Sequence, residues 1–328
     1  MEFTDVNKAI NDTPIGIFEN KSTSFKLIAF IALAVAGVCL FSFISILLMI
    51  PIAGVNLLTE PFALSNTNDA KVINAYKLLQ LGNQLGLFIV PALVAAKLFG
   101  GNVFGYLKLN KLPSSKIVLA TIALILLALP GINLLGYLNS ILHLPNFMSG
   151  IETWMHTKET EAEVLTKLFL KTSSVMGLLL NIFIVALMAA VGEELFFRGI
   201  IQRLLSNKYA RRTIAVWVTA IVFSAIHMQF FGFFPRMLIG AVLGFLFLWT
   251  NNLWIPIIAH FTNNASAVLM SYATQQGVLT DSAEQIGATQ NDYIIGVASI
   301  VITLVLLYMF KNKFEVNEVT QSAVINYN

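Results

Sequence analysis

Long apolar runs separated by short polar segments dominate the 328-residue chain. A helix needs about 20 mainly apolar residues to cross the hydrocarbon core of a bilayer. Strands of a transmembrane barrel would instead show roughly 10-residue alternating segments, and the sequence has none. We therefore predict an all-α polytopic membrane protein with about eight transmembrane helices. The predicted spans are 25–50, 78–98, 117–141, 173–191, 213–229, 234–250, 253–272 and 293–310.

One of the polar segments, residues 151–172, carries apolar residues in its second half. This pattern predicts an amphipathic helix outside the membrane, lying on the bilayer or capping the bundle. The chain is predicted to have three regions. Region 1–172 holds membrane helices one to three and the surface helix, region 173–272 is a four-helix catalytic core, and region 273–328 holds the last membrane helix and a polar tail.

Composition narrows the class further. Hydrophobic residues make up 57% of the chain and charged residues 11%, against about 25% charged in a soluble domain. A soluble protein, a disordered chain and a nucleic-acid binder are therefore excluded, and the lipid bilayer is the expected surrounding. The single cysteine, Cys39, excludes an internal disulfide and a cysteine-based zinc site.

The distribution of basic residues predicts the orientation. With a cytoplasmic N-terminus, 14 of the 20 lysines and arginines fall on the cytoplasmic side, as the positive-inside rule requires. Both termini are then expected to be cytoplasmic, in a membrane of the bacterial inner-membrane type.

Ionisable residues inside the spans are few, and such residues are functional candidates because charge is costly in a membrane. From 164 to 280 the only acids are Glu193 and Glu194, and the only histidines are His227 and His260. The two glutamates are predicted at the end of span four, where one carboxylate can act as a general base. Arg198 lies four residues after Glu194, on the same helix face. The simpler alternative is an interfacial ion pair.

Two further pairs have one-turn spacing. Phe223 and His227 share a face of span five, and His260 and Asn264 share a face of span seven. Taken singly, each is typical of helix packing or of hydrogen bonding between membrane helices. Taken together with the acids, they favour a water-activating hydrolytic centre. We expect spans four to seven to surround one internal cavity with these side chains.

The ordered set EExxxR (Glu193 to Arg198), FxxxH (Phe223 to His227) and HxxxN (His260 to Asn264) resembles the motifs of the CPBP family. These are the CAAX-prenyl-protease and bacteriocin-processing intramembrane proteases, or Abi family, which include the type II CAAX proteases. The resemblance covers about 173–272.

The resemblance implies a role for each motif residue. Glu193 activates the hydrolytic water, while Glu194 and His227 position and polarise the centre. His260 and Asn264 complete it, with Asn264 suited to stabilising the oxyanion, and Arg198 holds Glu194. Phe223 contacts substrate or serves packing. The implied partner is a membrane-associated, prenylated CAAX-like or bacteriocin-type peptide.

The sequence leaves the cofactor and the activity open. Glu193, His227 and His260 could bind a zinc ion with water in the fourth position, but a metal-free glutamate protease is favoured. The HExxH motif of zincins is absent. Two non-protease alternatives are a bacteriocin-immunity or scaffold protein of the same fold, and a transporter that uses the acids and histidines as a proton relay.

Overall fold

The computed structural model describes residues 16–57, 59, 64, 69–208, 212–289 and 291–315. The start of the polar N-terminal segment and the end of the polar tail lie outside the described residues, as does Arg211 from the charge count. Within the described ranges the chain forms nine helices of more than ten residues and no strand, which confirms the all-α class. They are α1 (Thr23–Ala53), α2 (Ala70–Gly100), α3 (Ser115–Ser140), α4 (Ser149–Leu170), α5 (Val175–Ser206), α6 (Arg212–Ala225), α7 (Phe233–Thr250), α8 (Trp254–Gln275) and α9 (Tyr293–Phe314).

Six of these helices, α1, α2, α3, α5, α7 and α9, are long and apolar enough to cross a membrane. This finding confirms a polytopic membrane protein, with two fewer qualifying helices than the eight predicted spans. Helix α6 has 14 residues and is about 21 Å long, shorter than a hydrocarbon core of about 30 Å. Helix α8 is long enough, with 22 residues, but the polar residues around His260 lower its hydropathy.

The predicted end of span four at residue 191 is wrong. Helix α5 continues through the two glutamates to Ser206, because Glu194 is paired within the helix with Arg198 and across the bundle with His260. Glu193 and Glu194 therefore lie within a long helix and not at its end. Two π-helical stretches flank them, Ile182–Met188 and Leu195–Gln202. Such wider turns occur frequently at functional sites.

Helix α1 also runs beyond its predicted end. Pro51 lies inside it, and the helix ends at Gly54, whose backbone N–H bonds to the carbonyls of the last turn at φ +68°. Glycine favours this left-handed conformation because it has no Cβ. Midway along, Gly37 of α1 and Gly86 of α2 touch backbone to backbone, since a Cβ on Gly37 would lie 2.1 Å from the Gly86 carbonyl oxygen. These glycines let the first two helices cross closely.

The N-terminal helices pack directly against the predicted catalytic core. One buried apolar cluster joins Phe30 of α1 and Phe99 of α2 to Leu195 of α5 and Ile257 of α8. A second cluster joins α3, α7, α8 and α9. Lipid tails are as apolar as these side chains, so close van der Waals packing holds the bundle around α5 and α8.

One end of the bundle collects the segments that were predicted to be cytoplasmic. The N–H of Phe18 donates to the carbonyl oxygen of Leu98 over 2.8 Å. The guanidinium of Arg203, in the last turns of α5, donates to the carbonyl oxygen of Tyr106. We call this the basic end, because the segment 97–116 carries four lysines.

Helix α4 caps the opposite end and covers the connection between α6 and α7. Its Trp154 ring packs 5.1 Å from the Phe230 ring, and its Glu159 carboxylate accepts a hydrogen bond from the Phe231 N–H at 3.2 Å. Most of the helix is exposed, and Leu168 is its one buried residue. The predicted surface helix is therefore present and takes the capping position.

Candidate active site

A buried chain of polar contacts crosses from α5 to α7 and α8. Arg198 donates to Glu194 Oε1 at 2.6 Å and to the carbonyl oxygen of Gly240 at 2.7 Å. The same Glu194 oxygen lies 2.8 Å from Nδ1 of His260. Glu194 and Arg198 are 0% exposed and His260 is 5% exposed. The structure thus brings three of the predicted residues into direct contact, and the Glu194–Arg198 ion pair is buried.

Glu193 lies beside this chain. Its Oε2 is 3.9 Å from Nε2 of His260, which is too long for a direct hydrogen bond. No described residue provides a hydrogen-bond partner for that oxygen. Because Nδ1 of His260 faces Glu194, the other ring nitrogen is directed at Glu193. The imidazole therefore bridges the two adjacent carboxylates.

Phe223 of α6 lies between the two histidines. Its ring is 5.1 Å from the His227 ring and 5.9 Å from the His260 ring, and the Arg198 guanidinium lies 4.9 Å from its centroid. Edge-on aromatic contacts and cation–π contacts each stabilise such a cluster by about 1 kcal/mol. The packing role of Phe223 is thus evident, and a contact with substrate remains a prediction.

His227 lies just outside α6, which ends at Ala225. The prediction that it belongs to the helix is wrong, because the backbone turns there and Met228 adopts φ +53°. Nδ1 of His227 is nevertheless 2.8 Å from the carbonyl oxygen of Phe223, one turn back. This bond directs the ring along the helix end and leaves Nε2 available.

Asn264 is held by two contacts of its own. Its Nδ2 donates to the Val185 carbonyl oxygen at 3.3 Å, and its Oδ1 accepts from Nδ2 of Asn263 at 3.1 Å. Val185 belongs to the π-helical stretch before the glutamates. Asn264 is thus tied to α5 through the Val185 carbonyl.

Two glycines on α7 allow this close approach of helices. Gly240 accepts from Arg198, and one turn later Gly244 accepts from Gln202 at 3.0 Å. A Cβ on Gly240 would lie 3.0 Å from the Phe223 ring, and one on Gly244 would lie 2.8 Å from Oε1 of Gln202. The absence of side chains therefore exposes the two carbonyls to the long side chains of α5.

Gln84 of α2 is a site residue that the motifs did not indicate. It is 3% exposed, and its Oε1 faces Gly192 of α5, where an added Cβ would lie 3.1 Å from that oxygen. The signal that could have found it is its position within an apolar span, where polar side chains need partners.

The predicted zinc donors are not gathered into one group in this structure. Among the described residues, no group of three or more His, Cys, Asp or Glu side chains is placed to hold a metal ion. Glu193 Oε2 and His260 Nε2 supply two donor atoms, and His227 Nδ1 contacts a backbone carbonyl. A catalytic zinc site uses three protein ligands, and the third ligand of the predicted set, His227, would have to bind through its other ring nitrogen, Nε2.

A cavity of about 1080 Å³ lies between α3, α4 and α8. Asn263, which donates to Asn264, forms part of its wall, but Glu193, Glu194 and His260 do not. This space is therefore separate from the site residues, and the expectation that spans four to seven surround one internal cavity with those side chains stays a prediction.

Comparisons with known proteins agree with the motif region. The chain is 30% identical over 89 residues to the uncharacterized protein YpbD of Bacillus subtilis (strain 168), a match covering 26% of this chain and 42% of that protein. The chain thus spans less than half of the curated relative it matches. No solved structure matches significantly. Residues 175–266 match the family described as type II CAAX prenyl endopeptidase Rce1-like, which confirms the resemblance to the CAAX proteases over the segment that carries the motifs.

Proposed function

We propose that the protein is an intramembrane endopeptidase in which Glu193 activates water. The observation that carries this proposal is the pair formed by Glu193 Oε2 and His260 Nε2, 3.9 Å apart. One water molecule can contact two atoms at that separation with ordinary hydrogen bonds of about 2.8 Å. Glu194 and Arg198 hold the His260 imidazole in place to bind this water molecule.

The reaction then follows from these groups. Glu193 takes a proton from the water, whose oxygen attacks the carbonyl carbon of the scissile peptide bond. The side-chain amide of Asn264 donates to the resulting oxyanion, as donors aimed at developing charge do. The C–N bond breaks when Glu193 returns the proton to the leaving nitrogen, giving a carboxylic acid and an amine. Each step uses a group of this chain, and none requires a metal ion.

We assign the substrate to the class of membrane-associated peptides, prenylated CAAX-like or bacteriocin-type, following the family match. We further propose that the site lies nearer the cytoplasmic face. His260 is six residues from the start of α8 at Trp254 and 15 from its end, or about 9 and 22 Å along the axis. The start of α8 is at the basic end.

The test is hydrolysis by the purified full-length chain in detergent, with one quenched fluorescent peptide carrying a CAAX-like C-terminus, prepared with and without a farnesyl group. We expect Glu193→Gln to lower turnover by roughly 10²–10⁴-fold, the usual contribution of a positioned base. Glu161→Gln, on the exposed side of α4, is the matched control and should keep full turnover. A strong chelator should have no effect.

Three outcomes would contradict parts of the proposal. Full turnover in Glu193→Gln would refute the assigned base. Loss of turnover with chelator, restored by zinc, would refute metal-free hydrolysis. No hydrolysis of either peptide, with cellular function retained in both Glu193→Gln and His227→Ala, would favour the immunity or scaffold alternative.

A further inference from the structure

The loop between α6 and α7, residues 226–232, carries His227 and is closed by a side chain from α3. Asn139, in the last turn of α3, is 6% exposed. Its Nδ2 donates to the carbonyl oxygen of Phe230 at 3.0 Å, and its Oδ1 accepts from the N–H of Phe234 at 3.1 Å. One buried amide therefore joins the α6–α7 loop to the first turn of α7.

Helix α7 receives from Asn139 a cap that its own sequence does not supply. The first four N–H groups of a helix have no partner within the helix, and a polar side chain at the preceding residue commonly satisfies one of them. In α7 the preceding residue is Gly232, which provides no side-chain cap. A Cβ at Gly232 would lie 3.3 Å from Nη2 of Arg236, which leaves little room for a side chain. Asn139 therefore caps α7 from another helix.

The backbone on both sides of His227 is anchored. Before it, Oγ of Ser224 donates to the carbonyl oxygen of Phe233 at 2.7 Å. After it, Nη2 of Arg236 donates to Oε1 of Gln229 at 2.7 Å. These bonds lie within the family match of 175–266, whereas Asn139 reaches the same loop from outside that match. The direction of the His227 ring therefore depends on a loop that α3 helps to fix.

We propose that Asn139 is a positioning residue, which fixes the α6–α7 loop and so keeps the His227 ring on the Phe223 ring, beside the catalytic centre. This inference rests on the proposed function. The Phe223 ring is 5.1 Å from the His227 ring and 5.9 Å from the His260 ring, so a shift of the loop moves His227 relative to His260. A misplacement of about 1 Å can lower a catalytic rate by about 10²-fold.

The experiment compares Asn139→Ala with Asn133→Ala. Both residues lie on α3 and donate from Nδ2 to a loop carbonyl at 3.0 Å, but Asn133 bonds Ile286 in the segment before α9. With the fluorescent peptide, we expect Asn139→Ala to lower kcat by about 10–100-fold while KM changes less than about threefold, because the loop positions a group for the reaction and not for binding. Asn133→Ala should leave kcat close to that of the parent protein.

A double-mutant cycle on kcat tests whether Asn139 acts through His227. In the His227→Ala protein, adding Asn139→Ala should lower kcat no further, because the side chain that Asn139 positions is already absent. A general loss of folded protein would lower kcat in both backgrounds.

Reaction of the histidines with diethyl pyrocarbonate, followed by mass spectrometry, adds a readout that does not need hydrolysis. We expect His227 to react several-fold faster in Asn139→Ala, because its ring loses the contact with the Phe223 carbonyl. His260, which is 5% exposed, should react as in the parent protein, whereas general unfolding would expose both rings.

Three outcomes would each overturn the inference. They are unchanged reactivity of His227 in Asn139→Ala, equal kcat in the Asn139→Ala and Asn133→Ala proteins, and an equal loss of kcat with and without the His227 side chain. Full turnover in Glu193→Gln would refute the proposed function instead, so the two failures are distinguishable.

Discussion

Replacing Arg198 by methionine tests whether the polar chain also holds the fold together. The guanidinium is 0% exposed and makes two short bonds, to Glu194 and to the Gly240 carbonyl. Methionine fills most of the same volume without either bond. We expect both activity and stability to fall, since Glu194 would keep only its contact with His260.

The size of the loss follows from the position of the pair. Removing one partner of a buried ion pair costs about 3–5 kcal/mol, because the remaining charge stays buried without compensation. That corresponds to roughly 10²- to 10³-fold or more in the unfolding equilibrium constant. An exposed pair is worth about 0.5 kcal/mol or less. Lys158 and Glu161 on α4, 2.7 Å apart with 39% and 57% of their side chains exposed, provide that comparison.

The assay is unfolding of purified protein in mixed dodecyl maltoside and SDS micelles, followed by circular dichroism. Arg198→Met should shift the transition far more than Lys158→Met. The double variant Glu194→Leu/Arg198→Met should recover most of the stability, because an apolar pair replaces the buried ions, but no activity. Equal shifts for Arg198→Met and Lys158→Met would refute the reasoning, as would a double variant no more stable than Arg198→Met.

Two predictions concern other positions. Gly244→Ala places a methyl group 2.8 Å from Oε1 of Gln202, so it should lower the free energy of unfolding by about 1–3 kcal/mol in the same assay. The control Gly136→Ala, with no atom within 4 Å of the added carbon, should leave stability unchanged. Similar losses for both variants would contradict the close packing of α7. Hydrogen bonds from the Thr289 side chain and from backbone N–H groups lower the pKa of Asp292 below its ordinary value. The ionised carboxylate therefore stabilises the loop before α9 when the pH is above the ordinary aspartate pKa. This stabilisation is lost as the pH falls through the lowered pKa of Asp292. Protease cleavage in this loop should therefore increase at acid pH in the parent protein and be high and pH-independent in Asp292→Asn; an equal pH response in both would contradict it.

The apolar pattern was sufficient to predict the helices, because burial in lipid imposes the same length requirement on every span. Their ends were harder to place. The predicted end of span four at residue 191 rested on the apolar run, which stops before Glu193 and Glu194. In the structure Glu194 is compensated by Arg198 on the same helix and by His260 of α8, so the helix can continue through the bundle. The contact with Arg198 is visible in the sequence spacing, whereas the contact with His260 depends on another helix and is invisible to a local window of sequence.

The site was predictable where its residues lie one turn apart, and unpredictable where they come from distant helices. The one-turn spacing of Glu194 and Arg198 indicated their contact, which the structure shows at 2.6 Å. Gln84 is 108 positions before Gly192, and no periodicity connects them. The motifs also did not predict the bond from Arg198 to the Gly240 carbonyl, because every residue has a backbone carbonyl. Glycine is needed at this position because a side chain would contact the Phe223 ring.

Unpartnered polar atoms concentrate where the reaction is proposed. Eight buried side-chain atoms in the described part of the chain have no hydrogen-bond partner, and four of them belong to Gln84, Glu193, Glu194 and Arg198. A buried polar atom left unpaired costs about 1–3 kcal/mol, so packing alone would select against such a cluster. An assembly that must receive a water and a peptide carbonyl needs donors and acceptors that the fold itself does not use. In the proposed reaction, the residues that bear this cost to stability are therefore the ones that contact water and substrate, and we expect Glu193→Gln to lower turnover without lowering the free energy of unfolding.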